Sequence, residues 1–342
     1  MSIHAVAKHA GVSVATVSRA FNFPDKVLQQ TLDKVYASAT AVGYVPNASA
    51  RTLRTQRSHV LGVVLPTLIN PVFAECLEGI AQAAAMAGYA ISPITTAYRV
   101  EEESKAVAQL LSRNVDGLIL VVADPQTSAA LQVLTERNHP YVLAYNRHPL
   151  HSCVSVDGEQ AVADMVLRLG KLGHRRILML TGQRSASDRA RQRCDGYLRG
   201  MQALGLASSE VLEVPFLDSA QDDMCAVLQS RQRPSAVMCS NDLLALRCLR
   251  AAHLTGLRVP EDLSVVGFDG IAVGRDLTPT LCTVHQPSAD IGQRSVEVLL
   301  SALRQGQLAS AADSLTLPHR LIEGESCGLA PQDFALATAP LD

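Results

Sequence analysis

The stretch "AGVSVATVSRAFN", Ala10 to Asn22, joins two short runs of helical periodicity. Before it, Ile3, Val6, Ala7 and Ala10 recur at the spacing that gathers apolar side chains on one helix face, with Ser2 at the cap position. Gly11 lets the chain turn without a steric penalty. Ser13 is then the expected cap of a second helix, with Val14 and Ala15 in its first turn and Val17 turned back toward Val6 and Val12. Ser18, Arg19 and Asn22 fall on its outer faces. Two helices joined in this way form a helix-turn-helix, whose second helix enters the major groove of DNA by its N-terminal end. On that geometry Val14, Ala15 and Arg19 face base edges. A guanidinium bonds guanine through two parallel hydrogen bonds, and small apolar groups contact thymine methyls. Thr16, Ser18 and Asn22 are short donors suited to phosphate, which sets register rather than sequence.

The charge distribution agrees. Residues 1–59 carry Lys8, Arg19, Lys26, Lys34, Arg51, Arg54 and Arg57 against Asp25 and Asp33, a net +5; the remainder therefore carries −7 of the chain's total of −2. A basic head on an acidic body suits a polyanion partner, although a solvated basic face would give the same count. A third helix is expected from about Leu28 to Val42, ending at Gly43. Then comes "GYVPNASARTLRTQRS", Gly43 to Ser58, in which Asn47 can cap a helix of one or two turns with Ala48, Ala50 and Leu53 on its apolar face. So short a helix is not stable alone in water. A pair of them, one per protomer, would pack together and press Leu53 between base steps of the minor groove.

Length predicts two or three domains. The longest apolar runs are strand-sized and far short of a membrane span, and the N-terminus shows no secretory pattern, so a cytoplasmic, nucleoid-associated protein is expected. The eight cysteines form no C-x-x-C pair and the ten histidines no metal spacing; neither metal nor cofactor is expected.

From Val60 on, strand-like runs ("VLGVVLP", "YAISPI", "GLILVV", "YVLAY", "RILMLT", "SAVMCS", "LSVVGF") alternate with helical patterns over Val72–Ala87, Glu102–Arg113, Gln160–Leu172 and Leu243–Thr255. Such alternation predicts parallel sheets covered by helices on both faces, and the length of this body predicts two lobes. Ligands of such folds sit beyond the carboxyl ends of the strands. The segments following strands are therefore the ones to watch: Asn70–Phe73, Asn146–His148, "GQRSASDRARQR" from Gly182, Asn241–Asp242 and Asp269–Gly270.

Seven motifs in order, "AGVSVATVSRAFN", "GYVPNASARTL", "VLGVVLPTLINPVFAECLEGI", "LGHRRILMLTG", "SNDLLALRCL", "VPEDLSVVGFDG" and "TVHQP", resemble the LacI/GalR family of bacterial transcriptional repressors over about Ser2 to Gly324. The resemblance implies an α plus α/β chain: a helix-turn-helix head over 1–46, a hinge helix and linker over 47–59, and a two-lobed periplasmic-binding-protein-like body over 60–330. Its N-lobe would span about 60–172 and 287–314, its C-lobe about 173–286 and 315–330, with a flexible tail over 331–342. It implies Val14, Ala15 and Arg19 as base readers, Asn47 to Leu53 as the hinge, and a homodimer on a palindromic operator. A tail lacking a leucine heptad speaks against a tetramer. It further implies Arg193, Asn241 and Asp269 as effector-binding positions, with Phe73 and Phe216 as the wall against the effector's ring. An arginine, an asparagine and an aspartate facing one cleft can bond adjacent hydroxyls with fixed polarity, although Asn241 and Asp269 also suit helix caps. Ala5 stands where the family usually has an acidic residue, and two further departures stand out: Leu28 and Leu32 occupy positions where the family usually has Ser and Arg. Leucine neither caps a helix nor donates to phosphate, a loss of about 1 kcal/mol at a cap.

The loop after "LMLTG" holds Arg184, Arg189, Arg191 and Arg193. With Arg147 they make an anionic effector the first expectation, a sugar acid or a phosphorylated sugar. "VLPTLINPVFAE" also resembles the gluconate-responsive members. Arginines lining a solvated helix face would leave a neutral sugar or a nucleoside instead. No G-x-S-x-G, P-loop or H-E-x-x-H is present, so an enzyme is not expected. His174 reads as a structural histidine. A sugar-binding transport protein sharing the body is the remaining alternative, disfavoured by the basic head.

Overall fold

A computed structural model describes residues 2–44, 57–207, 211–216 and 220–332. The chain divides into two compact units, Met1–His59 and Val60–Asp342.

In the first unit α1 (Ile3–Ala10), α2 (Val14–Asn22) and α3 (Gln29–Ala41) bury Val6, Ala7, Ala10, Val17, Ala20, Leu32, Val35 and Ala39 together. Gly11 ends α1 in the left-handed conformation (φ 62°) that glycine adopts without cost, and the backbone N–H of Val12 returns to the Ala7 carbonyl at 3.1 Å. Ser13 caps α2 as expected, its Oγ accepting from the Thr16 N–H at 3.0 Å. Ser2 holds the cap position of α1, but its side chain makes no cap bond; its carbonyl accepts from Ala5 N–H at 3.0 Å instead. The two leucine departures from the family pattern separate here. Leu28 stands at the start of α3 without a side-chain cap and is 81% exposed, whereas Leu32 turns inward and packs in the core. Tyr36 braces α3 on α2 by donating to the Ala20 carbonyl at 3.1 Å.

The second unit holds two six-stranded sheets. The first orders its strands β11-β5-β4-β3-β1-β2: β1 (Val60–Leu65), β2 (Ala90–Thr95), β3 (Gly117–Leu120), β4 (Tyr141–Ala144), β5 (Cys153–Val156) and β11 (Leu315–Leu317). The second runs β12-β10-β9-β8-β6-β7: β6 (Ile177–Gly182), β7 (Val211–Val214), β8 (Ala236–Cys239), β9 (Ser264–Asp269), β10 (Cys282–His285) and β12 (Arg320–Ile322). Every pairing is parallel except β10 with β12. The central strands are buried along their whole length, which is why they read as continuous apolar runs. The helices are α4 (Pro71–Met86), α5 (Val100–Ser112), α6 (Ala129–Glu136), α7 (Gly158–Lys171), α8 (Asp188–Ala203), α9 (Gln221–Gln229), α10 (Asp242–Leu254) and α11 (Ser288–Gln305). Four of them fall within a few residues of the sequence expectation.

The chain crosses between lobes three times, and two of the crossings move. The sequence reading put the first near Gly173. It lies instead at Asp157, between β5 in the first sheet and α7, which packs on α8 of the second lobe. The cause is β5: in "CVSV" Ser155 interrupts a run of only four residues, so no strand stands out before α7. The second crossing stands at Gln286–Pro287, between β10 and α11, as expected. The third falls after Leu317, between β11 and β12, rather than at Leu315. The hinge positions Asn47, Ala48, Ala50 and Leu53, and the tail from residue 333, lie outside the described residues.

Two helix pairs approach closely at glycines. A Cβ at Gly196 of α8 would overlap the Glu159 carbonyl of α7, and one at Gly292 of α11 would overlap the Cys76 carbonyl of α4. Backbone carbonyls cannot yield as side chains do, so Gly196→Ala is expected to destabilise the protein by about 1–3 kcal/mol, read as a lower urea midpoint.

Candidate functional site

On α2 the exposed side chains are Ala15 and Arg19, while Val14, Thr16, Ser18 and Asn22 are partly buried. Val14 also packs against the head core. The polar residues are tied to their own helix: Thr16 Oγ1 bonds Ser13 Oγ at 2.9 Å, and Asn22 Nδ2 donates to the Ser18 carbonyl. One face of α2 thus offers a long cation, a methyl group and a row of short hydroxyls and amides, the chemistry that a groove requires.

In the body, Asn70, Val72, Phe73, Tyr98, Tyr145, Ser187, Arg189, Ala190, Arg193, Phe216, Ser240, Asn241, Asp269 and Gln286 surround one cavity between the lobes. Each follows a strand or opens a helix, as the fold rule predicts. Of the residues expected at the effector, Phe73, Arg189, Arg193, Phe216, Asn241 and Asp269 meet here. Arg147 does not. It follows β4 on an outer face, half exposed, paired with Asp157 at 2.6 Å, beside His148 and Thr316. The side chain that β4 contributes to the cavity is Tyr145, whose hydroxyl donates to the Val72 carbonyl at 2.9 Å.

The polar centre is Asp269, 4% exposed, at the carboxyl end of β9. Its Oδ1 accepts from Gln286 Nε2 at 2.7 Å and lies 3.5 Å from Arg193 Nη2; its Oδ2 accepts from Asn70 Nδ2 at 3.4 Å. It does not act as a helix cap. Asn241 does, accepting from the Leu244 N–H at 2.8 Å while still lining the cavity. Arg193 lies over the Phe268 ring, 3.7 Å from its centroid, and donates to the Ser240 carbonyl. Behind it Asp242 accepts from Gly270 and Ile271 N–H groups at 2.7 and 2.8 Å and from Thr283 at 2.6 Å.

A second buried cluster closes the far side. Asp188 Oδ1 accepts from Asn146 Nδ2 at 2.7 Å and from Arg189 Nη1 at 2.9 Å. Arg189 also donates to the Val122 carbonyl at 2.8 Å, and the Asp188 N–H to the Ala123 carbonyl at 2.7 Å. Arg191 pairs with Asp124 across the same seam at 2.8 Å. Arg184 turns outward to Glu213 at 2.8 Å. The four loop arginines therefore split, two into the cavity and two toward its rim and outer surface. His174 is fully buried between Ser235 and the Gly328 carbonyl, a structural histidine whose pKa burial lowers.

The cavity residues that sequence reasoning passed over are Tyr98, Tyr145, Ser240 and Gln286, although all four follow strands as the rule requires.

The protein is thus a two-lobed α/β binding body joined to a helix-turn-helix head, the organisation of a ligand-responsive DNA-binding regulator. Residues 2–47 match the lacI family of bacterial regulatory proteins, and residues 166–327 the periplasmic binding protein-like domain. The chain is 31% identical over 330 residues to the HTH-type transcriptional repressor CytR of Escherichia coli (strain K12), covering 95% of this chain and 96% of that one. It is similar to the lac repressor dimer bound to operator and the anti-inducer ONPF (TM-score 0.85, 28% identity, 96% and 99% covered). It is also similar to the transcriptional regulator CelR in complex with cellobiose (TM-score 0.69, 27% identity, 95% and 99% covered). The chain belongs to the LacI family: it is a DNA-binding transcriptional repressor controlled by a small-molecule effector, in a family of regulators rather than enzymes.

Burial pushes the Asp269 carboxyl up to about 6 against the opposing pull of Arg193, Asn70 and Gln286. The folded form then holds a proton that the unfolded chain releases, so this contribution to stability is complete below pH 4 and is lost as pH rises through about 6. Asp242, pushed up to about 7, and Asp188 shift the same way. The unfolding free energy of the wild type should fall between pH 4 and 7 by about 2 kcal/mol more than that of Asp269→Asn, measured by urea titration at each pH.

Proposed function

We propose that this repressor acts as a homodimer in the cytoplasm, reads a palindromic operator with α2, and responds to a neutral, polyhydroxylated, ring-bearing effector such as a sugar or a nucleoside. The observation that carries the choice of a neutral effector is the pairing of charge. Arg193 faces Asp269 and Arg189 faces Asp188, each pair buried, so among the described residues both arginines that line the cavity are paired with a carboxylate. Arg189 Nη2 and Gln286 Oε1 are buried without a hydrogen-bond partner among the described residues. A hydroxyl both donates and accepts, so vicinal hydroxyls can satisfy this donor and this acceptor together. Phe73 and Phe216 supply apolar walls for the face of a ring.

A second reading, the sugar acid or phosphorylated sugar of the sequence analysis, draws on the same Arg189 Nη2, a guanidinium donor that a carboxylate oxygen would also satisfy. In either case the effector gains contacts from both lobes at once. Asn70 and Phe73 stand at the start of α4, and Arg193, Asn241 and Asp269 belong to the other lobe. It therefore favours one lobe–lobe angle, and coupling of about 1–3 kcal/mol to the DNA-binding state changes operator affinity roughly 5- to 150-fold. On DNA, Val14, Ala15 and Arg19 read bases, with Asn47, Ala48, Ala50 and Leu53 forming the minor-groove hinge.

Two measurements test this. Thermal shift with neutral sugars, nucleosides, gluconate and sugar phosphates is expected to single out a neutral compound, with the response lost in Asp269→Asn; stabilisation by anions alone would reverse the choice. On a duplex selected from random palindromes, Arg19→Ala should weaken binding about ten- to a hundredfold while changing affinity for random duplex far less, and equal loss on both would make Arg19 a phosphate contact.

A further inference from the structure

We propose that Tyr98 is a built-in occupant of the effector cavity, a side chain that holds the place of the effector's ring until the effector displaces it. This rests on the reading of that cavity as the effector site. Tyr98 follows β2 in the first lobe, and Phe216 follows β7 in the second. Their rings stack with centroids 4.4 Å apart and planes 11° from parallel, so the stack bridges the lobes. Phe73 meets the same tyrosine edge-on at 6.4 Å. Gly182 makes the arrangement possible, because a Cβ there would overlap the Phe216 ring.

The other end of Tyr98 imitates a ligand as well. It lines the cavity together with Asn70, Arg189, Arg193 and Asp269, and its hydroxyl lies in the field of the last three. A flat apolar face on Phe216 and a hydroxyl among those polar groups are the two features ascribed to the effector above. What remains of the cavity is about 30 Å³, room for one or two water molecules. Ligand sites commonly enclose roughly 300–1,000 Å³. A sugar ring cannot enter unless something leaves, and Tyr98 stands on a turn from which it can do so, half-buried where the other lining residues of left-handed backbone, Tyr145 and Asp269, are buried. Ala97 and Tyr98 sit at φ 52° and 60°, left-handed conformations that residues other than glycine rarely adopt. The turn is held by the Thr96 N–H on the Leu65 carbonyl and the Arg99 N–H on the Thr96 carbonyl, each at 3.0 Å.

A self-filled cavity binds with an apparent affinity reduced by the fraction of molecules in which the occupant is out. It also selects for compounds that replace both the stack and the hydroxyl.

The chain contains no tryptophan, so Tyr98→Trp places a single indole reporter on Phe216. Each compound of the panel above that stabilises the wild type is expected to red-shift the emission of this variant as the indole moves to water. Stabilisation with unshifted emission would overturn the proposal. Tyr98→Ala should bind the same compounds at least tenfold more tightly, with an observed rate that rises linearly with concentration where the wild-type rate saturates. Weaker binding by Tyr98→Ala, at unchanged stability, would make Tyr98 an effector contact and not an occupant. The last arm needs no effector. p-Cresol, the tyrosine side chain itself, should raise the melting temperature of Tyr98→Ala and leave the wild type unchanged, and the absence of that rescue would also overturn the proposal. If p-cresol rescues while no sugar, nucleoside or anion binds either protein, the occupant stands and the assignment of the cavity's effector falls.

Discussion

The buried carboxylate of Asp269 is the point on which the body turns. It accepts from Asn70 of the first lobe, lies against Arg193 of the second, and accepts from Gln286 at a crossing between them. A charge so placed costs several kcal/mol to desolvate, and the donors Asn70, Arg193 and Gln286 offset that cost against the repulsion of Asp242 and Glu75. Those donors constrain much else. Arg193 must stay stacked on Phe268, Asn70 must cap α4 with its Oδ1 while donating from its Nδ2, and Gln286 must present its Oε1 to the cavity. The atoms that hold the lobes in register also line the cavity, so on the proposed reading an effector acts on the lobe–lobe angle directly.

Much of the architecture was legible because buried parallel strands are apolar runs and the helices between them are amphipathic. The limit was shortness and interruption together. "CVSV" and "CTVH" carry four residues each with Ser155 or Thr283 breaking the apolar run, whereas β3, β4 and β8, equally short, stood out as unbroken ones; β11 and β12 carry three. Missing β5 moved α7 across the lobe boundary, since without that last strand before the crossing α7 takes its place in the first lobe. Ser2 shows a finer limit: a residue type suited to a cap occupies the position without making the bond.

The site was legible where a topological rule applied and less so where side-chain direction decided. Residues after strand ends were the right ones to inspect, but Tyr145, Asn146 and Arg147 follow one strand, and only the first lines the cavity. Asn146 reaches Asp188 behind it, and Arg147 turns to the outer face. The loop arginines divide by helical geometry. Arg189 and Arg193, four apart on α8, share its inner face, and Arg191 lies between them toward the rim. Sequence alone counts four positive charges. The aspartates that neutralise two of them, Asp188 next in the chain and Asp269 far along it, are visible as partners only once folded.

The contact between Gly196 and the Glu159 carbonyl has a mechanical meaning. With it, α7 and α8 form a two-helix slab without a compliant layer of side chains between them at that point. One end of the slab begins at Asp157, where the chain passes between lobes and Arg147 grips it; the neighbouring end carries Arg189 and Arg193. Packed backbone to backbone at that point, the two helices are built to move as one body, which carries Arg189 and Arg193 together with Asp157.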